Sequence, residues 1–366
     1  MADDPTLNGL RAALDAYLDP YLGETLGATQ AVQELKATDA GASVRIRLGF
    51  PVGGYHDELA SGLKAHLAKA GINTPLTIEL MAEIRSHAVQ RNLKPIEQIK
   101  NVVAVASGKG GVGKSTVAVN LALAWAAQGA RVGLLDADIY GPSQPLMLGL
   151  EGQKPSTPDG KHLQPLSAHG VVAMSIGFLL TDQDQAMIWR GPMVTQALTQ
   201  LLSETHWGAL DYLVVDMPPG TGDIQLTLAQ RVPVAGAVIV TTPQDIALAD
   251  ARKGLKMFEK VEVPVLGIVE NMATHVCSNC GHVEPIFGSG GGERMASEYE
   301  VPLLGSLPLD IHIREQADGG TPSVAADPHG AIAAAYCQIA RAAAARLARH
   351  ARSKAIQFPK IVIQNT

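Results

Sequence analysis

The chain has 366 residues, a formal net charge of −6, and 46% hydrophobic but only 4% aromatic side chains. That length supports two aliphatic cores, and the acidic balance argues against a nucleic-acid partner, which would call for a basic face. No apolar run approaches the ~18 residues that span a bilayer. The start Met1-Ala-Asp-Asp-Pro5 is acidic where a secretory leader is basic, and three cysteines make no disulfide framework. A cytoplasmic protein with no membrane partner is expected.

Residues 1–88 read as a small α+β domain. A helix is expected over 5–18 and strands over 29–35 and 42–48, with Ala40-Gly41 turning between them. A second helix over 57–70 lines up Leu59, Leu63 and Leu67 on one face, and a final strand follows over 76–80. No catalytic constellation appears there. Residues 89–100, with Lys94-Pro95, read as a linker, because the residue before a proline is biased away from helix.

The next domain is expected over 101–350. Apolar runs at 102–106, 130–136, 212–216, 235–241 and 265–269 are separated by helix-length intervals. Runs apolar on both faces and alternating with helices indicate an α/β fold, a mainly parallel sheet between helix layers. The first run leads into Ser107-Gly-Lys-Gly-Gly-Val-Gly-Lys-Ser-Thr116, where Gly108, Gly113, Lys114 and Ser115 satisfy the P-loop spacing. Backbone N–H groups of Gly108, Lys109, Gly110, Gly111, Val112, Gly113, Lys114, Ser115 and Thr116, with a helix N-terminus behind them, would cradle nucleotide phosphates. Lys114 is expected on the β- and γ-phosphates and Ser115 on Mg²⁺. Ligands in such sheets lie beyond the strand ends, where Asp136, Asp138 and Asp216 stand. Asp216 suits Mg²⁺ held through its water shell. A lone strand-end Asp serves equally as a helix cap, but two of them beside a phosphate cradle favour a cation.

Lys109 adds a second lysine to the cradle, and Lys109-Gly-Gly-Val-Gly-Lys-Ser-Thr116 resembles the deviant P-loop of the SIMIBI ATPases, the group of MinD, ParA, the nitrogenase iron protein and Mrp/ApbC. The resemblance implies a homodimer closed around ATP, with Lys109 reaching the partner's nucleotide. Asp138 resembles the switch I acid that orients the attacking water, with Asp136 closer to Mg²⁺. Asp216-Met-Pro-Pro-Gly-Thr-Gly-Asp223 resembles switch II. Asn271 and Pro308 match the group's adenine-side positions, although an amide there also caps loops. Hydrolysis by such a site is positioning plus charge neutralisation.

Cys277-Ser-Asn-Cys280 is a lone CxxC, which suits a redox dithiol, half a zinc site or half an iron–sulfur site. Its polar, glycine-flanked loop lacks the strand-to-helix setting of a thioredoxin motif. Two chains related by a two-fold axis would offer four thiolates, enough for a [4Fe–4S] cluster or Zn²⁺. His282 is a third candidate ligand or a solvated loop residue, and Cys337, in an alanine-rich run, reads as a buried small side chain. After His329 come Arg341, Arg346, Arg349, Arg352, Lys354 and Lys360 with no acid, a pattern for an alanine-rich helix with a basic, solvated face and a tail over 351–366.

The P-loop, Asp136-Ala-Asp-Ile-Tyr-Gly-Pro-Ser143, Trp189-Arg-Gly-Pro-Met193, Asp216 to Asp223 and the CxxC with Ile286-Phe-Gly288 together resemble the Mrp/ApbC/Nbp family of iron–sulfur cluster carrier ATPases. The resemblance covers 101–320. It implies a homodimer that holds a labile [4Fe–4S] cluster between Cys277 and Cys280 of both chains, takes it from scaffold proteins and passes it to apo iron–sulfur proteins. Arg190 is then a nucleotide or dimer contact. The first 88 residues, with Asp19-Pro20 before the first strand, resemble the MIP18-like (DUF59) domain. Some relatives carry a cysteine in the loop corresponding to Gly49–His56, and this chain has none, so docking or regulation is expected there. The competing readings are a MinD/ParA-like positioning ATPase with structural zinc at the CxxC, supported by the basic tail, a nitrogenase-reductase-like electron carrier, whose cysteines come singly from separate loops, and a zinc-stapled dimer whose metal is purely structural.

Overall fold

The structure, a computed structural model, describes residues 5–90, 93–179, 191–277 and 279–355. The chain divides into two compact units, residues 1–88 with 344–366, and residues 89–343. Trp189, Arg190 and the side chains of Arg352, Lys354 and Lys360 lie outside the described residues.

The first unit holds α1 (Pro5–Asp15), the short strands β1 (Leu18–Asp19) and β2 (Glu24–Thr25), β3 (Val32–Thr38), β4 (Gly41–Leu48), α2 (His56–Lys69) and β5 (Leu76–Ala82). β4 is central, antiparallel to β3 and parallel to β5. Its alternate residues Ala42, Val44, Ile46 and Leu48 are buried, the period of a strand with one core face. Leu59, Leu63 and Leu67 of α2 are buried as their spacing predicts. The buried Asp19 carboxylate accepts the Tyr55 hydroxyl at 2.8 Å and the N–H groups of Tyr21 and Leu22, each at 2.9 Å. The Asp19-Pro20 corner is therefore a satisfied polar hub.

The second unit holds β6 (Ile99–Ala106), α3 (Lys114–Ala127), β7 (Val132–Asp136), α4 (Gln144–Met147), β8 (Leu166–Ala168), β9 (Val171–Ser175), α5 (Gly191–Glu204), β10 (Leu210–Asp216), α6 (Asp223–Arg231), β11 (Gly236–Thr241), α7 (Asp245–Lys260) and β12 (Val265–Glu270). The hairpin strands β13 (His275–Val276) and β14 (Val283–Glu284), α8 (Gly291–Glu298), β15 (Leu303–Ser306), α9 (Ile311–Asp318) and α10 (Ser323–Ala326) follow, and α11 (Ala331–Ala355) belongs to this unit through Ala343. Among the described residues an eight-stranded sheet runs β15-β12-β11-β6-β10-β7-β9-β8, with only the β8–β9 pair antiparallel. β7, β10 and β11 are buried at every residue, so both faces of the sheet centre are covered, as parallel sheets require. Trp125 of α3 stacks on Tyr212 with ring centroids 4.6 Å apart and donates Nε1–H to the Ala340 carbonyl at 2.7 Å.

Several features differ from the expectations. The segment over 89–100 is bound to the second unit rather than free: Gln90 Nε2 donates to the Ala229 carbonyl at 2.8 Å in the last turn of α6, its Oε1 accepts the Val234 N–H at 3.1 Å, and β6 already begins at Ile99. A helix end has orphan carbonyls, and this amide takes one of them. Residues 344–350 belong with the first unit instead of the second, where Arg349 Nε meets Glu24 Oε1 at 2.9 Å. The basic face of α11 is not all solvated, since Arg341 is only 4% exposed, while Cys337 is half-buried rather than fully buried. The β8–β9 hairpin, absent from the sequence reading, turns at His169-Gly170, both at positive φ (49° and 84°), the conformation of a tight two-residue turn. No helix of the described residues is long and apolar enough to cross a membrane.

Asp211, at the start of β10, ties three strands together: Lys100 Nζ lies 2.8 Å from its carboxylate, and Arg131 reaches it with both its N–H at 3.0 Å and its guanidinium at 3.2 Å. Burial would raise this carboxyl, but the Arg131 and Lys100 hydrogen bonds outweigh it and hold it down at about 2. A depressed folded-state value contributes stability above the unfolded value of ~3.9, lost as pH falls toward the folded one. Asp211→Asn should cost about 1–2 kcal/mol near neutral pH. Urea unfolding should show that deficit narrowing as pH drops from ~4 toward ~2; a deficit unchanged at acid pH would contradict the assignment.

Candidate functional site

The cradle follows from the sheet. β6 ends at Ala106, the loop Ser107 to Gly113 crosses the strand ends, and Lys114 opens α3. The backbone is pressed against its surroundings. A Cβ on Gly108 would come within 2.1 Å of the Asp250 carbonyl oxygen, and one on Gly113, at φ 80°, within 2.2 Å of Asn271 Nδ2. Only glycine fits either place. Ser107 Oγ donates to the Lys109 carbonyl at 2.9 Å, and Asn271 Nδ2 donates to the Val112 carbonyl at 2.9 Å.

Strand register assembles the charges. Asp216, the last residue of β10, stands beside Val105 of β6 on one side and Asp136 of β7 on the other. Lys114 Nζ pairs with Asp216 Oδ1 and lies 3.1 Å from Ser115 Oγ; the lysine is 6% exposed and Asp216 fully buried. Gln144 completes the pocket, its Nε2 donating to Asp216 Oδ2 at 2.8 Å and to the Ser115 carbonyl at 3.1 Å. Asp136 Oδ2 accepts the Gln144 N–H and the Ser175 hydroxyl, each at 3.1 Å, and its Oδ1 accepts the Asp138 N–H at 3.1 Å. Burial, reinforced by the neighbouring Asp216 charge, pushes the Asp136 carboxyl up to about 7. Burial also raises Asp138.

Two buried carboxyls thus face one ammonium, with Ser115 Oγ beside them. Ser143 Oγ and Gln144 Oε1, both buried, have no partner among the described residues. An all-oxygen donor set with spare acceptors fits a hydrated Mg²⁺. Gln144 and Ser175 escaped the sequence reading. Gln144 follows Pro142-Ser143 with no motif of its own, and only the fold brings it to Asp216.

The other expected residues are placed as follows. Lys109 is half-buried, and its ammonium makes no ion pair among the described residues. Asn271 spends its amide donor on the cradle backbone. Pro308 borders a cleft of about 330 Å³ with Glu270, Thr274, Gly290 and Ser306.

Cys277 and Cys280 stand at the tip of the β13–β14 hairpin, where Val276 faces Val283. The Cys277 N–H donates to the His282 carbonyl at 2.9 Å, and the Gly281 N–H to the Cys277 carbonyl at 2.8 Å. Backbone N–H groups of Asn279 and Cys280, then the Cys280 thiol, hydrogen-bond the Cys277 sulfur and lower its pKa. His282 is exposed. The base of the hairpin is tied to the loop after β15: Leu307 N–H to the Glu270 carbonyl at 2.9 Å, Ala273 N–H to the Leu307 carbonyl at 2.9 Å, Leu309 N–H to the Thr274 carbonyl at 2.7 Å, and His275 Nδ1 against the Leu309 carbonyl at 3.1 Å. Asn271 therefore starts a continuous ladder from Val112 to the cysteine hairpin.

The family model for the ParA group, described as NUBPL iron-transfer P-loop NTPase, matches residues 98–344. The chain belongs to this NUBPL iron-transfer P-loop NTPase family. It is 64% identical over 257 residues to an iron-sulfur cluster carrier protein of Escherichia coli, covering 70% of this chain and 69% of that protein. It is 55% identical to the Haemophilus influenzae protein of the same name, with 83% of each chain covered. The Mus musculus iron-sulfur cluster transfer protein NUBPL is 50% identical, over 74% of this chain and 85% of that one. Among solved structures, an Archaeoglobus fulgidus nucleotide-binding protein in complex with ADP is 42% identical at a TM-score of 0.55, covering 61% of this chain and 88% of that one. The Pyrococcus furiosus cell division ATPase MinD, at 23% identity and a TM-score of 0.50 over 66% of this chain and 97% of that one, shares the fold.

In this NUBPL-family NTPase Lys114 and Asp216 balance each other's buried charge. Lys114→Ala strands the Asp216 carboxylate and should destabilise the nucleotide-free protein by about 3 kcal/mol. Adding Asp216→Asn should recover most of that loss while nucleotide binding stays abolished. Chemical denaturation with a parallel nucleotide-binding assay checks this, and a single variant as stable as the parent would contradict the pairing.

Proposed function

We propose that this chain is an ATP-hydrolysing carrier of [4Fe–4S] clusters that works as a homodimer. The observation that carries the reading is the placement of Cys277 and Cys280 together on a hairpin whose base is hydrogen-bonded into the loops around the nucleotide cradle, with the Cys277 thiol lowered by the N–H groups of Asn279 and Cys280. The names of its relatives point to the same cargo. Each chain offers two thiolates, and two chains supply the four that the cluster takes. Val276, Val283 and Ile286 are 46%, 55% and 51% exposed beside the thiols, apolar surface that a second copy would cover. Scaffold proteins are the proposed donors and apo iron–sulfur proteins the recipients, with the cluster exchanging carrier thiolates for recipient ligands and no net oxidation. A reducing cytoplasm is the proposed setting, where exposed thiols persist unpaired.

When ATP occupies the cradle, Lys114 exchanges Asp216 for the β- and γ-phosphates, which releases the Asp216 carboxylate. Ser115, Asp136 and Asp216 would hold Mg²⁺, and the chemistry it would supply there is neutralisation of phosphate charge. Gln144 keeps both carboxylates aimed at the cradle. Asp138 orients the attacking water, the partner's Lys109 adds positive charge from across the dimer, and Pro308 and the carbonyl end of Asn271 are the proposed adenine contacts. For the N-terminal unit we propose a MIP18-like docking role.

Anaerobic reconstitution with iron and sulfide should give a sulfide-to-iron absorption band and about four irons per dimer, both absent from Cys277→Ala/Cys280→Ala. The double variant should keep its fold, since both cysteines sit on a hairpin outside the sheet core. Zinc alone in the parent, or an unchanged iron content in the variant, would overturn the carrier reading.

A further inference from the structure

Away from the cradle and the cysteines, the second unit gathers a carboxylate and two imidazoles. Asp159, His162 and His206 each place one ligand atom within 4.8 Å of the others. Asp159 Oδ2 lies 2.5 Å from His162 Nδ1 and 3.8 Å from His206 Nε2, and the two rings meet edge to face with centroids 4.6 Å apart. His206 follows α5, whereas Asp159 and His162 come from the irregular segment before β8, so only the fold unites them.

The backbone sets this arrangement before any ion arrives. Asp159 Oδ1 accepts the N–H groups of Lys161 and His162 at 2.9 and 2.7 Å, which turns the loop so that Oδ2 faces the rings. The Leu163 N–H donates to the Glu204 carbonyl at 2.8 Å, and the His206 N–H to the Leu163 carbonyl at 2.9 Å. These two bonds fasten the loop to the end of α5.

Two imidazole nitrogens and one carboxylate oxygen form a borderline donor set, preferred by first-row divalent transition metals over Ca²⁺ or Mg²⁺. Bonds of about 2.0–2.1 Å put tetrahedral ligand atoms about 3.4 Å apart. The His206–Asp159 spacing is close to that, and the His162–Asp159 contact has to open by about 1 Å, a small side-chain rotation. Asp159 and His206 are exposed and His162 half-buried, which gives an ion access and leaves a coordination position for water, the pattern of an open rather than a closed site. We propose that Asp159, His162 and His206 form a surface site for a divalent first-row transition metal, separate from Cys277 and Cys280. The bound ion clamps the 157–163 loop onto the end of α5.

The test is calorimetric titration of Zn²⁺ into the full-length Cys277→Ala/Cys280→Ala chain, with excess Mg²⁺ present to occupy the acidic cradle. One Zn²⁺ per chain is expected. His206→Ala and, separately, Asp159→Asn should each weaken it more than about tenfold, while His329→Ala, which changes an exposed histidine outside the cluster, should leave it unmoved. All these side chains are at the surface, and thermal denaturation will confirm that each variant stays folded. Absence of Zn²⁺ binding with the triad intact, or an affinity that His206→Ala does not change, would overturn the site.

Discussion

The buried pair of Lys114 and Asp216 is the constraint on which the rest of the second unit depends. A charge taken out of water is tolerated only when it is paired and hydrogen-bonded, and here the pairing spans the sheet from the first helix turn after β6 to the last residue of β10. The pair fixes where β10 must end, and its register with β7 then brings Asp136 alongside. One ammonium cannot satisfy two carboxyls. Asp136 is pushed toward its neutral form, and Gln144 spends its amide and its N–H on the two acids. The pocket is short of positive charge, which a divalent cation held by its acids would supply.

The same unit gives that redistribution a route outward. Asn271 touches the cradle at the Val112 carbonyl, and the Ala273 to His275 segment is laddered to Leu307 and Leu309 before the hairpin rises to Cys277. Met272, next to Asn271, sits at a φ of 57°, a left-handed conformation that a methionine adopts only where its surroundings impose it. In the proposed carrier, a shift of the cradle on nucleotide binding therefore reaches the thiols without a moving domain.

Much of this was legible in the sequence, and for identifiable reasons. Strand-forming runs apolar on both faces announced the five central strands, and the P-loop spacing is local, so Lys114 and Ser115 were placed correctly at the start of α3. What the sequence hid is what the fold brings together from afar. Gln144 carries no motif, and its bond to Asp216 depends on α4 lying across the strand ends. Asn271 matched an adenine-side position, yet its amide proton goes to the cradle backbone, because the close approach at Gly113 puts Val112 within reach. The β8–β9 hairpin was missed because Leu166–Ala168 is too short for a periodicity signal, although His169-Gly170 marked its turn. The imidazoles of His162 and His206 meet only through the Leu163–Glu204 contact.

The central claim, that the nucleotide cradle and the cysteine hairpin are mechanically joined through Asn271, is tested most directly by hydrogen–deuterium exchange of the full chain with and without a non-hydrolysable ATP analogue. Slower exchange is predicted not only over 107–116 but also over 271–284 and 306–309, and in Asn271→Ala the response of the latter two segments should vanish at an analogue concentration raised until 107–116 is fully protected, which offsets any lost adenine contact. Protection confined to the cradle in the parent protein would contradict the account.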